Sequence, residues 1–302
     1  MRLFGSAAVA AGVLDIEIPK GSYRALILEL VGVNNTGVTL TNAEVGRLRI
    51  TRGGIEQCNM DFVDLLNFNN ADGGVAFFTS TVAAAVNAQA RFLFYMAGDL
   101  QNIMKFERGE GRINFQFNPA AMTKLAGAGS GTMNIYGVTS KGVEKYQIKT
   151  FEFSQLIGAS GSISTPLLSA SNVDRIYFRT ASQFSQIQIQ KDDIMLITAS
   201  GDALKNDTAF KYRLETAPAF IIVDMSYTKS YAELISDKTL FYLTSTGAGT
   251  AVIIYQTVEF NAQRTAISKA STERYFAKEI VRDPQVAAIV RQEPVKTAIA
   301  VD

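Results

Sequence analysis

The chain has 302 residues, 47% of them apolar and 19% charged, and its 29 basic and 28 acidic side chains leave a formal charge of +1. That length and apolar share suit two domains with cores of their own and argue against disorder. A balanced charge sets up no basic field to attract nucleic acid. Histidine and tryptophan are absent and Cys58 is the single cysteine. This excludes an intrachain disulfide, a Cys/His zinc site and the usual neutral-pH general base, and it weakens any sugar-stacking role.

The chain opens on MRLFGSAAVAAG, where Gly5 and Ser6 interrupt a short apolar stretch. A secretory leader is therefore the weaker reading, and an N-terminal arm is expected. Short alternating segments then predict strands near 13–18, 23–31, 46–51, 55–59, 75–79, 91–96, 112–117 and 132–138. In Arg47-Leu48-Arg49-Ile50 the aliphatic residues share one face and the arginines the other. In 112–117 the residues Ile113, Phe115 and Phe117 do the same against Arg112, Asn114 and Gln116. A helical turn is expected at 61–67; 83–90 and 119–125, the latter with Pro119 in its first turn, are further short candidates read as loop decoration on the β scaffold. Residues 146–153 read as a β-like or crossing segment of either half, followed by a linker at Gly158-Ala159-Ser160-Gly161. The second half predicts strands near 162–164, 173–179, 185–190, 194–198, 219–225, 231–235, 239–244 and 250–259. The tail from about 263 carries seven basic and five acidic residues. It predicts two short amphipathic helices, 271–281 and 283–290, the second opened by Asp283-Pro284.

Two stretches 139 residues apart carry one pattern. Residues 48–68 and 187–207 each read as an alternating strand, a polar turn, a second strand and a helical turn. Leu48 aligns with Ile187, Ile50 with Ile189, Ile55 with Ile194, Leu65 with Leu204 and Asn67 with Asn206. The first copy holds an extra loop at about 32–44, rich in Gly, Asn and Thr and expected at an exposed end. About eight strands per half is the number of an antiparallel jelly roll. The expected fold is all-β: two tandem eight-stranded antiparallel jelly rolls with short helices and a helical C-terminal tail. The first occupies 1–157 with its N-terminal arm, and the second 158–302 with the tail from about 263.

This order of features resembles the double jelly-roll major capsid proteins of tailless, membrane-containing icosahedral phages, with the corticovirus type most similar. The residues that carry the resemblance are IEIPKGSYRALILELVGV, GRLRITRGG with FVDLLNF, and DRIYFR, IQIQKDDI, DALKND, AELIS and AVIIYQTVEF. The extra loop and the long tail depart from it. The resemblance implies a homotrimer whose six similar domains form a pseudo-hexameric capsomer of an icosahedral shell around an internal membrane. It implies a virion component made in the host cytoplasm. Its partners would be itself, vertex (penton) and minor capsid proteins, and internal lipid through the termini, with no specific nucleic acid.

No catalytic, cofactor or metal residue is assigned. Asp192 and Asp193 beside Lys191 read as a polar hairpin turn, since calcium would need several more oxygen ligands. Structural calcium between subunits stays open without a ligand set to support it. Asp61 and Asp64 read as a solvated helix face, against a catalytic carboxylate pair. Gly127-Ala128-Gly129-Ser130-Gly131 lacks the Lys-Ser/Thr of a phosphate loop. Cys58 has no histidine to activate it and reads as structural. Phe92-Leu93-Phe94-Tyr95 reads as core. The tail helices divide evenly between packing on their own domain and contacting lipid or a neighbouring subunit. The competing functions are a ligand- or carbohydrate-binding β-sandwich adhesin or spike, and a two-carboxylate hydrolase.

Overall fold

A computed structural model describes residues 1–33, 36, 40–71, 76–77, 87–94, 102–125, 131–142, 144–157, 161–166, 170–179, 184–191, 194–214, 218–225, 232–234 and 239–260. The chain divides into a compact unit, Met1–Glu259, and a second unit, Phe260–Asp302. The expected tail helices 271–281 and 283–290 lie outside the described residues.

The first half contains β1 (Arg2–Ala8), β2 (Val13–Ile18), β3 (Gly21–Val33), β4 (Gly46–Arg52), β5 (Ile55–Asp61), α1 (Phe62–Ala71), β6 (Ala76–Phe77), β7 (Asn87–Phe94), β8 (Met104–Phe106), β9 (Gly111–Phe117), α2 (Pro119–Lys124) and β10 (Thr132–Thr139). The second contains β11 (Tyr146–Ile157), β12 (Gly161–Pro166), β13 (Ala170–Phe178), β14 (Phe184–Lys191), β15 (Ile194–Ser200), α3 (Gly201–Tyr212), β16 (Ile221–Asp224), β17 (Ala232–Leu234), β18 (Thr239–Ser245) and β19 (Gly249–Phe260). The first half folds into sheets ordered β1-β10-β3-β7-β6 and β2-β9-β4-β5, with β8 paired to β3. The second folds into β11-β19-β13-β16 and β12-β18-β14-β15, with β17 paired to β13. Setting aside the short β6, β8 and β17, both halves repeat one arrangement. The first strand neighbours the eighth, then the third and sixth; the second neighbours the seventh, then the fourth and fifth. That is the double Greek key of the jelly roll, and the molecule contains it twice.

The 139-residue repeat is built into the geometry. β5 and α1 begin at residues 55 and 62, and β15 and α3 at residues 194 and 201. Even the irregularities coincide. Ile50 faces Cys58 and Thr51 faces Glu56, leaving Gln57 as an extra, bulged residue. Ile189 faces Ile197 and Gln190 faces Met195, leaving Leu196 in the same place. A bulge bends its strand and fixes the register, so two copies sharing one bulge share one local architecture.

Both rolls begin on a strand that the alternation did not reveal. The expected N-terminal arm is β1, paired with β10 from Arg2↔Gly137 to Ala8↔Thr132. Its residues Gly5-Ser6-Ala7-Ala8 are too small to alternate, and the size of Gly5 has a steric cause. A Cβ on Gly5 would stand 2.5 Å from Ile16 Cγ2, and one on Gly137 2.1 Å from Phe4 Cζ. Phe4 lies across Gly137 and meets the Tyr23 ring edge-on at 4.9 Å. The crossing segment 146–153 is the body of β11, which pairs with β19 in the second half's sheet. Sheet membership therefore changes between β10 and β11, ahead of Gly158. In each half the expected count of eight was completed by a short accessory strand, β6 or β17, in place of the first strand. The loop decoration or short helix read at 83–90 is also corrected. Residues 87–90 belong to β7, and 83–86 lie outside the described residues.

Burial separates the two halves. β4 and β9 alternate, with Leu48, Ile50, Ile113, Phe115 and Phe117 in the core. In the second half Ile221, Ile222 and Val223 are all buried, as are Ala251 to Val258. These are the continuous apolar runs IIV and AVIIY, the signature of strands covered on both faces. Ile176, Phe178, Ile221, Ile253 and Tyr255 fill the second roll's own core. Tyr177, Phe220, Ile222, Val252 and Ile254 point the other way and join the core cluster of the first roll. In the loop expected to be exposed at 32–44, Thr36, Thr41 and Ala43 are exposed, and its end is anchored: Leu40 is fully buried, and Lys124 Nζ donates to both Glu44 oxygens at 2.8 Å.

Candidate functional site: the seam between the two jelly rolls

The densest polar cluster lies where the rolls meet. Asp64, in the first turn of α1, is fully buried. Arg179, just past β13, donates from Nε to its two oxygens at 3.0 and 3.2 Å, and Nη2 also bonds Oδ2. The same Nη2 reaches Asp61 Oδ2 at 2.7 Å. The Tyr177 hydroxyl donates to Asp64 Oδ1 at 3.0 Å and accepts from Asn67 Nδ2 at 2.8 Å. Asp61 extends the chain of charges to Arg47 Nη1 at 3.1 Å, and Arg47 Nη2 donates to Glu152 of β11 at 2.7 Å. Arg47 Nε also donates to Asn59 Oδ1 at 2.6 Å. Apolar contact closes the seam: the rings of Phe68 and Tyr177 lie 5.0 Å apart, and those of Tyr177 and Phe220 5.6 Å.

The electrostatics suit adhesion better than turnover. Burial raises the Asp64 carboxyl above its usual range, and the Arg179 and Tyr177 hydrogen bonds only partly offset it. Burial opposes the charge of Arg179, but Asp64 and then Asp61 outweigh this and raise it. Both carboxylates are held by arginine, and Asp64 faces packed protein. A buried pair with its remaining hydrogen bonds satisfied fixes orientation more than it adds stability. The expectation of a solvated helix face at Asp61 and Asp64 is thus overturned for Asp64: the helix face that bears it is the joint. Asp61 is partly exposed and bridges two arginines.

A second anchor holds the crossover between the rolls. Asn102 is fully buried; its Nδ2 donates to the Tyr146 carbonyl at 2.8 Å, and its Oδ1 accepts from the Lys145 amide at 2.8 Å. Arg52 bonds Glu144 and, at 2.8 Å, Glu110.

The remaining sequence candidates do not converge. Cys58 is buried in β5, and burial pushes its thiol up to about 12, which suits an inert structural residue. Phe92 to Phe94 lie in β7, beside β3; Tyr95 is outside the described residues. So are Asp192, Asp193 and residues 126–130, while Lys191 ends β14. Gly131 accepts from the Val9 amide at 2.7 Å and serves as backbone packing. Among the described residues no group of three His, Cys, Asp or Glu could hold a metal, and no helix is long and apolar enough to cross a membrane. Sequence reasoning missed Arg47, Glu152, Tyr177 and Arg179. A signal for part of the seam was present as a break in the repeat. At the aligned positions Arg47 becomes Gln186, Asp61 becomes Ser200 and Asp64 becomes Ala203.

Strand order and seam together define a double jelly-roll protein. No protein-family model matches the sequence, and no curated protein is similar to it. Solved structures are similar in fold. The major capsid protein of bacteriophage PM2 aligns with a TM-score of 0.64 at 14% identity, covering 87% of this chain and 96% of its own. The major capsid protein of Sulfolobus Turreted Icosahedral Virus aligns at 0.66 and 14% identity, covering 88% and 96%. The PBCV-1 capsid aligns at 0.59 and 9% identity, covering 85% and 92%. At these identities the likeness establishes the fold, which spans nearly the whole of each capsid chain.

Proposed function

We propose that the chain is a major capsid protein, a structural subunit of a virion shell with no chemical turnover. The observation that carries this reading is the duplicated strand order, joined at a buried seam within one compact unit. A chain with two like domains can tile a surface with nearly uniform contacts, and closed rings of like surfaces are the common outcome of protein self-association. The first jelly roll runs from Met1 to the connection between β10 and β11, and the second from β11 onward, with the tail following. Three chains form a pseudo-hexameric capsomer, and capsomers build an icosahedral shell around an internal membrane. The partners are other copies of the chain, vertex and minor capsid proteins, and lipid at the termini. The similarity to capsid proteins of a bacteriophage and of other viruses supports this reading. No described residue cluster favours a sugar binder or a hydrolase.

Light scattering on the purified full-length chain tests it. The expected species has three times the 32.8 kDa chain mass, and micrographs of concentrated samples should show closed shells or hexagonal tiles. A chain that stays monomeric at high concentration and forms no shells overturns the reading.

A further inference from the structure

The in-chain joint has two sides, and each side has a counterpart in the other jelly roll that exposes large apolar side chains. One side is α1, whose Asp64 and Phe68 are buried beneath the second roll. Residues 139 further on lie on α3. There Ala203 and Asn206 are exposed, and Phe210, one turn beyond Asn206, is 85% exposed. Phe210 also borders a groove of about 710 Å³ shared with Tyr212, Leu214 and Asp224. A phenyl ring so placed is a large apolar surface in water.

The other side is the outer face of the β11-β19-β13-β16 sheet, where Tyr177, Ile222 and Ile254 are fully buried. Its counterpart is the outer face of β1-β10-β3. There Leu26, Leu28 and Leu30 turn into the core, so Ile27, Glu29 and Val31 turn outward. Leu3 is 52% exposed and Val31 37%. Glu29 is itself buried at 8% exposure and accepts on this face from Asn134 at 3.2 Å and Tyr136 at 3.1 Å, so the exposed apolar surface is that of Leu3 and Val31 at its margins.

We propose that the exposed face of α3, centred on Phe210, docks on the outer β1-β10-β3 face of a second copy of this chain. Each chain offers one open helix and one open sheet, which are the two partners already joined inside it. Such a contact is head-to-tail, and a head-to-tail contact that closes makes a ring. The inference rests on the assembly reading above and names the surfaces that carry it.

Two variants of the full-length chain, Phe210→Glu and Val31→Glu, test it. Both sites are exposed, so thermal unfolding and the β-type circular dichroism spectrum should match the unmodified chain. Val31→Glu sets a second carboxylate beside Glu29. Phe210→Glu brings one to the same sheet across the contact. Each variant alone should drop from the mass of three chains to that of one. Their mixture should recover a two-chain species, because the intact helix of one still fits the intact sheet of the other and the remaining surfaces are blocked. If the unmodified chain is itself a monomer, the assembly reading fails and this inference with it. If the unmodified chain assembles and either variant still forms three-chain species, or the mixture yields no two-chain species, the inference alone is overturned.

Discussion

In the first jelly roll the helix after the fifth strand is covered, and the outer face of the β1-β10-β3 sheet exposes Leu3 and Val31. In the second the cover is reversed: α3 is open, and the outer face of β13, β16 and β19 is buried. The two rolls share strand order, register and even a bulge, so the fold alone does not cause the difference. It comes from a few substitutions against the repeat. Asp61 and Asp64 stand where the second copy has Ser200 and Ala203, and Leu65 keeps its counterpart in Leu204. Leu48, Ile50 and Leu65 face their roll's core and keep aliphatic counterparts, whereas the charges at the joint, Arg47, Asp61 and Asp64, are lost from the second copy.

The largest test of that contrast removes Arg179. Arg179→Met leaves Asp64 buried without its cation, and about 5 kcal/mol of stability is expected to be lost at pH 7. The loss should depend on pH. The Asp64 carboxyl already lies above its ordinary 3.8, and without the arginine it rises further. A carboxyl raised on folding binds its proton more tightly in the native state, so stability falls as pH climbs from the unfolded value to the folded one. The deficit in urea midpoint should thus be smallest near pH 4 and largest at neutral pH. Adding Asp64→Leu should restore most of it. The equivalent change in the second copy, Ala203→Leu on the open face of α3, should leave the monomer's midpoint unchanged.

A matched pair of truncations follows. Leu65→Ala and Leu204→Ala remove the same side chain from aligned positions, fully buried in one copy and 9% exposed in the other. Under α1 the cavity cannot collapse, because the second roll presses from outside. α3 is open on its far side and can settle inward. Costs of about 4 kcal/mol and about 2 kcal/mol are expected, since the penalty grows with the void left behind. Equal losses would mean that the cover on α1 adds no rigidity. Next in size is Tyr177→Phe, which removes the hydroxyl that donates to Asp64 and accepts from Asn67. About 2 kcal/mol should be lost. Asn67→Ala should cost less in the Tyr177→Phe background than alone, because the two share one hydrogen bond.

These contrasts explain what could be read before the fold was known. Strands with one wet face, such as Arg47-Leu48-Arg49-Ile50, showed themselves by alternation. Those buried on both faces, such as Ala251-Val252-Ile253-Ile254-Tyr255, showed themselves by unbroken apolarity. The first strand of one roll was hidden, and that of the other was read as β-like without a roll to belong to. β1 and β11 lie at one end of their sheets, and β1 packs through small residues where Gly5 and Gly137 admit close neighbours. Neither condition leaves a periodic trace. The seam was only half legible. Arg47 looked like one more solvent-facing charge in a regular strand, and nothing local distinguishes it from Arg49. Arg47 reaches Asp61 and Glu152, while Arg49 pairs with Glu56 on the exposed surface. Partners 105 residues apart in sequence have no local signature.

The smallest effect concerns a feature that only the first roll has. Its extra loop ends at Thr41 and Glu44, where the Glu44 carboxylate accepts from the Thr41 amide at 2.8 Å, the Thr41 hydroxyl at 3.0 Å and Lys124. The Lys124 hydrogen bond, followed by the Thr41 amide, lowers this carboxyl to about 2. A group lowered on folding contributes stability that is complete above its unfolded value of 4.5 and fades as pH falls toward 2. The Glu44 side chain is 30% exposed, so screening reduces the contribution to about 1 kcal/mol. Glu44→Gln should therefore lower the thermal midpoint by a constant amount between pH 5 and 8, and the gap to the unmodified chain should close as pH falls toward 2. A gap that persists at pH 2 would show that Glu44 acts through packing, and that the loop is held by the burial of Leu40 and not by charge.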